Sequence, residues 1–261
     1  MASYRPELGF KLGRHTLGAV KQQSLACRGG GRDIVSRVVQ KASRDGWTAL
    51  PGRLVLAIFR RVTDRLWAGR LRCPGFRAAR SPRILGRGNI HLGADFHARD
   101  FLWLEAVLAY SEGGTVARFS PSLRIGSSAR LSDNVHIACI KGVSIGNHLL
   151  CGSGVLITDH AHGSYRGVSA SDPAVPPAQR PLVSAGPVVI GNNVWLGDGV
   201  AVLAGAVIGD GCVIGAHAVV TGTIPPGTIA VGSPARAIRR WSPEERAWLP
   251  IPDANAAERL S

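Results

Sequence analysis

Apolar residues recur at every sixth position in the second half of the sequence. They open six consecutive hexads, at Ile190, Leu196, Val202, Ile208, Ile214 and Val220. The fifth position of each hexad is also apolar and mostly small: Val194, Val200, Ala206, Cys212, Ala218 and Ile224. A period of six fits neither an amphipathic helix nor an alternating strand. It predicts a coil in which each hexad makes one short strand and one corner, with the lead side chain pointing inward.

The same pattern predicts how the coils stack. Three hexads close a triangular turn of eighteen residues, so residues 190–225 supply about two turns whose lead residues lie one above another. Glycine follows the lead residue in four of the six hexads, where we expect it to accept the backbone turn at low steric cost. The hexads therefore predict a mainly β chain with an aliphatic core.

A weaker version of the repeat precedes these hexads. Ile125, Leu131 and Ile137 are six residues apart, and Ile145, Cys151 and Ile157 restart the pattern two residues out of step. The stretch ILGRGNIHLGADFHARD (84–100) has the character of a first, imperfect coil. We therefore predict a solenoid over residues 84–232, with one insertion near 106–121 and a second at 158–187.

Positive charge is concentrated before the solenoid. Residues 1–90 hold 19 Lys and Arg against 4 Asp and Glu, whereas the rest of the chain is close to neutral, within a net charge of +14. Such a change in charge marks a domain boundary. We divide the chain into a basic N-terminal extension (1–83), partly helical or disordered, a coil domain (84–240), and a C-terminal helix and tail (241–261).

Each flank contains one predicted helix. In RLVLAIFRRVTDRLW (53–67), the apolar positions share one helical face and most arginines lie on another. Two interpretations stay open: a helix lying on anionic lipid at the inner face of a membrane, or a helix packed over the open end of the solenoid. After the solenoid, Ser242, Pro243 and Glu245 have the order of a capping box and predict a short C-terminal helix.

The cysteines bear on the compartment. The five, Cys27, Cys73, Cys139, Cys151 and Cys212, form no CxxC pair and are odd in number. This usage favours a reduced compartment over a disulfide framework, so we expect a cytoplasmic protein. The sequence contains no run of about 18 uncharged apolar residues, and we expect no membrane-spanning helix.

The stretch ITDHAHGSYRG (157–167) stands where the repeat breaks. Ile157 is the last residue that obeys the sixfold rule, and His160 and His162 follow it. A neutral imidazole can accept a proton near neutral pH, although an exposed histidine on a polar loop has no catalytic role in most proteins. From the residues alone, a catalytic loop, a metal site and a polar bulge all remain open.

Residues 190–240, IGNNVWLGDGVAVLAGAVIGDGCVIGAHAVVTGTIPPGTIAVGSPARAIRR, resemble the hexapeptide-repeat acyltransferases. The stretch ITDHAHGSYRG, followed by RPLVSAGPVVIGNNVWLG, is similar to the O-acetyltransferases of bacterial surface-polysaccharide and lipopolysaccharide synthesis. The resemblance covers residues 84–240. It implies a left-handed parallel β-helix, a homotrimer with active sites in the clefts between subunits, acetyl-CoA as donor, a sugar hydroxyl as acceptor, and no metal.

The resemblance also assigns catalytic residues. His160 matches the family's catalytic histidine and would act as the general base that takes the proton of the attacking hydroxyl. His162 is the alternative base. Asp159 either orients the site or forms a turn at the exit of the coil. Backbone N–H groups can stabilise the tetrahedral oxyanion, so one well-placed histidine is sufficient.

Donor contacts follow from the same resemblance, at Asp198, Ala216, Thr221, Gly222, Arg236 and Arg239. Asp198 and Ala216 are eighteen residues apart, so they stack one turn above the other and can line a groove for the pantetheine arm. Arg236 and Arg239 can bind the nucleotide phosphates through charge-assisted hydrogen bonds. The family often has Lys at the position of Gly222, which removes one cation from this chain's phosphate site.

Two other function classes stay open. A zinc enzyme of the carbonic-anhydrase type on the same scaffold would need three histidines converging at a trimer interface, and His160 and His162 are a close pair. A nucleic-acid-binding module would use the basic extension, but that segment has few interleaved aromatics, and we expect no nucleic acid. The match of the loop and of the GSPARAIRR tail favours acyl transfer.

Overall fold

The computed structural model describes residues 50–79, 82–112, 115–165, 167 and 170–252. Among these residues a single α-helix, α1, covers Leu50–Leu71 and precedes a solenoid of short strands. By its contacts the chain divides between Arg53 and Leu54, so most of α1 belongs to the same compact unit as the solenoid. The predictions for residues 1–49 and for the tail at 253–261 lie outside the described residues.

Three sheets form the walls of the solenoid. Sheet A contains β1 (Arg77–Ala78), β4 (His97–Ala98), β9 (Arg130–Leu131), β12 (Leu150–Cys151), β17 (Trp195–Leu196), β20 (Val213–Ile214), β23 (Thr228–Val231), β24 (Arg236–Ser242) and β25 (Ala247–Pro250). Sheet B contains β2 (Arg83–Leu85), β5 (Trp103–Ala106), β10 (His136–Cys139), β13 (Leu156–Thr158), β18 (Ala201–Val202) and β21 (Val219–Val220). Sheet C contains β3 (Ile90–Leu92), β8 (Ser122–Ile125), β11 (Gly142–Ile145), β16 (Val188–Ile190), β19 (Val207–Ile208) and β22 (Thr223–Ile224).

Within the coils every neighbouring pair of strands is parallel, and the chain passes from sheet A to B to C in each turn. The lead residues form continuous stacks inside. In sheet B the stack consists of Ile84, Leu104, Ile137, Ile157, Val202 and Val220, all buried. The predicted parallel β-helix with an aliphatic core is therefore confirmed. The first strand, β1, begins at Arg77, a few residues before the predicted start.

Glycine occurs after the lead residues for a different reason from the one predicted. Gly191, Gly197, Gly209 and Gly215 do not adopt positive φ; a Cβ on any of them would collide with the next coil. At Gly191 the added carbon would lie 2.1 Å from Oδ1 of Asp210. The left-handed turn falls two residues later instead, for example at Asn193 with φ 56° and at Gly199 with φ 66°. Glycine is therefore required at these positions because the next coil leaves no room for a Cβ.

Both predicted insertions are present. The first is an antiparallel hairpin of β6 (Ala109–Glu112) and β7 (Thr115–Arg118). The second leaves the solenoid after β13 and returns at β16, with an antiparallel pair of β14 (Ala161–His162) and β15 (Leu182–Val183) and a 3₁₀ turn at Pro177–Gln179. A further 3₁₀ turn covers Arg87–Asn89.

Helix α1 packs against the first coil through its last turns. Trp67 and Ala68 contact the core and Leu71 is buried, while Oδ1 of Asp64 accepts a hydrogen bond from Ala78 N at 3.0 Å. The opposite side of α1 carries exposed apolar side chains. No helix among the described residues is long and apolar enough to cross a membrane.

The predicted short C-terminal helix is wrong. Residues from Ser242 to Ala247 instead form a tight turn between β24 and β25, which pair antiparallel. The capping signal is satisfied inside this turn, because Glu245 N donates to Oγ of Ser242 at 3.3 Å. Trp241 and Trp248 meet across the two strands with ring centroids 5.5 Å apart, and this contact favours the hairpin over a helix.

Candidate active site

His160 lies two residues beyond the last residue of β13, where the chain leaves sheet B. Its neighbour Asp159 is fully buried and accepts three backbone hydrogen bonds, from Ile140 N at 2.9 Å, Lys141 N at 2.8 Å and Gly142 N at 2.6 Å. These three amides form the corner between β10 and β11 on the preceding coil. Asp159 therefore anchors the exit of the loop to the rigid solenoid.

The same carboxylate orients the imidazole. Oδ1 of Asp159 is 3.0 Å from Nδ1 of His160, and Oγ1 of Thr158 is 3.2 Å from that nitrogen. Burial alone would raise the pKa of Asp159, but the hydrogen bonds from His160 and the three amides together lower it, so the group stays ionised. An ionised acceptor favours the proton on Nδ1, which leaves the lone pair of Nε2 available as a base.

His162 has a different environment. It is exposed, and Tyr110 on the hairpin contacts its ring edge-on with the centroids 5.4 Å apart. The hydroxyl of Tyr165 donates to the carbonyl of His162. His162 thus joins the two insertions, and the structure gives its ring no carboxylate like that beside His160 among the described residues.

The second insertion is organised by one buried cation. The guanidinium of Arg180 donates to the carbonyls of Val175 at 2.9 Å and Pro173 at 3.1 Å, and to the hydroxyl of Tyr165 at 3.2 Å. The Pro-rich segment is therefore folded back against the residues that follow His160. A polar bulge without internal order would not bury an arginine in this way.

A thiol near the site is chemically inert. Cys139 ends β10, is fully buried, and its pKa is raised to about 12 by burial and by the nearby Asp159. The thiol form dominates at neutral pH, so Cys139 cannot act as a nucleophile. Within the described residues no group of three or more His, Cys, Asp or Glu side chains could hold a metal ion.

On the outer face of sheet B, one row of register partners passes through Leu156 on β13, the strand that leads to His160. Toward the N-terminus it carries Arg83, Trp103 and His136 on three neighbouring strands. Toward the C-terminus the corresponding positions are the small Ala201 and Val219. The sequence does not reveal that Arg83 and Trp103 align with His136, because the hairpin and the coil lengths decide which residues are register partners.

The predicted donor residues lie around the last two coils. Asp198 and Ala216 occupy successive coils at the corner between sheets A and B, as their spacing predicts, and Thr221 and Gly222 occupy the opposite corner of sheet B. Asp198 also has a local partner, since its Oδ1 accepts from Ser153 N at 2.6 Å.

The two predicted phosphate-binding arginines separate. Arg236 follows Ala235, whose amide donates to the carbonyl of Val219 on sheet B, so it lies beside that sheet. Arg239 lies on β24 opposite Ile229 of sheet A, and its Nη1 donates to the carbonyl of Trp248 at 3.2 Å. Asp198, Ala216, Thr221 and Gly222 therefore flank sheet B at its two corners, whereas Arg236 and Arg239 both lie on β24, with Arg236 at the end of that strand beside sheet B.

Comparison with known proteins agrees with this architecture. Residues 187–222 match the family model described as bacterial transferase hexapeptide (six repeats). The chain is 41% identical over 92 residues to the putative lipopolysaccharide biosynthesis O-acetyl transferase WbbJ of Escherichia coli, which covers 35% of this chain and 46% of that protein. A putative acetyltransferase of Schizosaccharomyces pombe is 52% identical over 54 residues, or 21% of this chain and 26% of that protein.

The matched segments span less than half of the length of these curated relatives. Among solved structures, a variant of AntD, an N-acyltransferase from Bacillus cereus, superposes with a TM-score of 0.50 and 19% identity, over 66% of this chain and 84% of that one. This likeness concerns the fold alone, and it agrees with the predicted left-handed parallel β-helix. Together, the matched repeat and the relatives confirm that this chain resembles the hexapeptide-repeat acyltransferases, including an O-acetyltransferase of lipopolysaccharide synthesis.

Proposed function

We propose that this protein transfers an acetyl group from acetyl-CoA to a hydroxyl of a carbohydrate, with His160 as the general base. The observation that carries the proposal is the arrangement at the coil exit, where the buried Asp159 holds His160 through Nδ1. The similarity to WbbJ, whose name describes an O-acetyl transferase of lipopolysaccharide biosynthesis, supports a glycan or polysaccharide precursor as acceptor.

The chemistry needs one proton shuttle. Nε2 of His160 takes the proton of the acceptor hydroxyl while its oxygen attacks the thioester carbonyl. The tetrahedral intermediate collapses with cleavage of the carbon–sulfur bond, and the imidazolium returns the proton to the CoA sulfur. The products are an acetyl ester and CoA thiol, and His160 is neutral again. Asp159 stabilises the transient imidazolium, since the ionised carboxylate lies 3.0 Å from Nδ1.

The donor lies on the C-terminal side of His160 in this proposal. The small outward residues Ala201 and Val219 leave an open surface there, flanked by the predicted contacts at Asp198 and Thr221. Arg236, exposed beside the same surface, supplies a cation for the phosphates of CoA.

Homotrimer formation is part of the proposal, with the clefts between subunits completing each site. Leu150 and Trp195 support it, because they are neighbours in the register of sheet A and their outward side chains are 48% and 50% exposed in a single chain. Light scattering on the purified protein should give the mass of three chains.

We further propose that α1 lies on an anionic membrane surface at the cytoplasmic side. Ile58, Phe59, Val62 and Leu66 are half-exposed or more, on the side of α1 away from Trp67 and Leu71. Arg61 and Arg65 lie next to this apolar stripe, so the face is complementary to anionic lipid.

Vesicle flotation tests this contact. The full chain should float with phosphatidylglycerol-containing vesicles and not with pure phosphatidylcholine. Val62→Glu should abolish flotation, whereas Val116→Glu, at a residue with similar exposure on the hairpin, should not. Equal flotation of both variants would show that the stripe does not contact lipid.

The central experiment is a CoA-release assay. The full chain is incubated with acetyl-CoA and a panel of free, nucleotide-linked and lipid-linked sugars, and free thiol and acetylated product are measured together. Acceptor-dependent thiol release with a matching acetyl ester is the expected result. Thiol release that no member of the panel stimulates, or zinc-dependent hydration of carbon dioxide without CoA binding, would overturn the proposal.

A further inference from the structure

Three side chains form a continuous stack on the outer face of sheet B. Arg83, Trp103 and His136 are register partners on β2, β5 and β10. The guanidinium carbon of Arg83 lies 4.1 Å from the centroid of the Trp103 ring, and the His136 ring lies 3.9 Å from it at an interplanar angle of 12°. Neighbouring strands are about 4.8 Å apart, so side chains at paired positions meet face to face.

The stack ends on β10, the strand next to the one that leads to the proposed base. His136 pairs in register with Leu156 on β13, the strand that leads to His160. The electrostatic influence of His160 reaches His136: burial first, then His160 and Arg83, lower the pKa of His136. The stack therefore occupies the N-terminal side of His160, opposite to the side proposed for the donor.

The guanidinium at the far end is prepared to bind an anion. Arg83 is exposed, and no carboxylate among the described residues pairs with it. Stacking on the indole fixes the plane of the guanidinium while its N–H groups, which lie in that plane, remain free to donate. A stacked guanidinium is pre-organised for the oxygens of a phosphate and loses little side-chain entropy when one binds.

Among the described residues, Nε2 of the imidazole at the near end has no hydrogen-bond partner, so the ring is held chiefly by the stack. The closest carboxylate oxygen, Oε2 of Glu105, is 3.9 Å from Nε2 of His136, too far for a hydrogen bond. The Arg83 guanidinium and the His136 imidazole lie on opposite faces of one indole, at 4.1 Å and 3.9 Å from its ring centroid.

We infer that Arg83, positioned by Trp103, binds a phosphate group of the acceptor, so that the acceptor is a glycosyl phosphate rather than a neutral sugar. The inference rests on the proposed function, because it is the position of His160 that makes this the acceptor side. The phosphate-bearing sugar is either nucleotide-linked or lipid-linked, and both share the group that Arg83 would bind.

The test measures binding without the donor. Calorimetry with the full chain compares glucose, glucose 1-phosphate, uridine diphosphate glucose and a polyprenyl-phosphate glucose in mixed micelles, and repeats the set with galactose and N-acetylglucosamine. At least one phosphate-bearing form should bind about tenfold or more tightly than its neutral sugar, as expected for hydrogen bonds to a charged group. The nucleotide and micelle arms distinguish the two sources.

Arg83→Gln should remove this advantage and leave the affinity for the neutral sugar unchanged. Arg124→Gln is the matched control, because Arg124 is an exposed arginine on the outer face of sheet C. Trp103→Phe should retain a reduced advantage, since a smaller ring still supports the guanidinium. Thermal unfolding of each variant identifies one that has lost its fold.

Two results would overturn the inference: phosphate-bearing sugars that bind no more tightly than neutral ones, or an Arg83→Gln variant with the wild-type preference. These results are separable from a failure of the proposed function. If the protein bound glycosyl phosphates through Arg83 but transferred no acetyl group to them, the inference about Arg83 would stand and the proposed function would fail.

Discussion

The coils after residue 187 and the coils before residue 162 are built on the same hexad, but they differ in what they expose. In the later coils the hexads follow one another almost without interruption, and the outward positions of sheet B are Ala201 and Val219. In the earlier coils two insertions interrupt the chain, and the outward positions at the same register are Arg83, Trp103, His136 and Leu156. The inward stacks are aliphatic in both regions.

This difference shows that the repeat and the chemistry use separate positions of one scaffold. The lead and fifth positions are buried, and they specify the coil wherever they occur. The outward positions carry no packing requirement and are free to hold reactive groups. An insertion then brings a loop residue such as His160 next to a sheet face that the coil keeps rigid.

Among the substitutions that distinguish the two regions, the largest loss of activity should come from His160, in the insertion that follows β13. We expect His160→Ala to lower acetyl transfer by about 10²- to 10⁴-fold, because the variant has no general base for the hydroxyl proton. His162→Ala should retain activity within a few-fold of the wild type, since the His162 ring contacts Tyr110 rather than a carboxylate. Initial rates of CoA release at saturating acetyl-CoA provide the measurement.

The control for this pair is structural. Both variants should keep the oligomeric mass and the unfolding temperature of the wild type, since His160 makes no contact with the inward stack. Near-wild-type turnover in His160→Ala would transfer the role of base to another group.

The junction of loop and coil should show the next largest effect. Both carboxylate oxygens of Asp159 accept backbone hydrogen bonds. Asp159→Asn replaces one of these acceptor oxygens by an NH₂ group, which cannot accept. At least one buried amide then loses its acceptor, at a cost of about 1–3 kcal/mol in the free energy of unfolding. Activity should fall as well, because His160 loses its ionised partner.

Urea unfolding and the CoA-release assay measure the two consequences of this substitution. Asp172→Asn is a suitable control, since Asp172 lies in the same insertion and its Oδ1 accepts a single exposed hydrogen bond, from Ala174 N. If Asp159→Asn were as stable as Asp172→Asn, the carboxylate could not be the anchor of the loop.

The sequence predicts the regular coils almost completely, because each hexad contains its own strand, corner and lead residue. It also predicts the two-residue slip at Ile145 and the break after Ile157. It cannot predict the stack of Trp103 on His136, since 33 positions separate them and only the length of the hairpin between them decides that they align.

Local signals failed where a partner strand competed with them. The capping residues at Ser242 and Glu245 do make their hydrogen bond, but β25 pairs with β24 and prevents a helix from continuing. For a similar reason the sequence does not decide whether Asp159 orients the site or only forms a turn. Its three backbone donors come from the preceding coil and are far away in sequence.

The regular coils should be sensitive to coil spacing rather than to chemistry. Gly191→Ala places a Cβ against Asp210 and should destabilise the protein by about 1–3 kcal/mol, as overpacking usually does. Gly222→Ala is the matched control in the same region, since no atom outside its chain neighbours lies within 4 Å of the added carbon.

Urea midpoints at one pH compare the two glycine variants. We expect Gly222→Ala to match the wild type within about 0.5 kcal/mol, as surface substitutions usually do. Equal midpoints for the two variants would mean that neighbouring coils can separate without cost, and that their spacing does not require glycine at position 191.

The smallest effect concerns the earlier coils and the pH dependence of their stability. Burial, His160 and Arg83 lower the pKa of His136 below its ordinary value of 6.5, so the unfolded chain binds this proton more readily than the folded chain. The neutral His136 therefore favours the folded state above pH 6.5, and this contribution to stability is lost as the pH falls through the folded-state pKa. His136→Phe keeps a ring on Trp103 but removes the titrating group. Between pH 7.5 and 5.5, the urea midpoint of the wild type should fall further than that of this variant, and an equal fall would show that folding does not lower the pKa of His136.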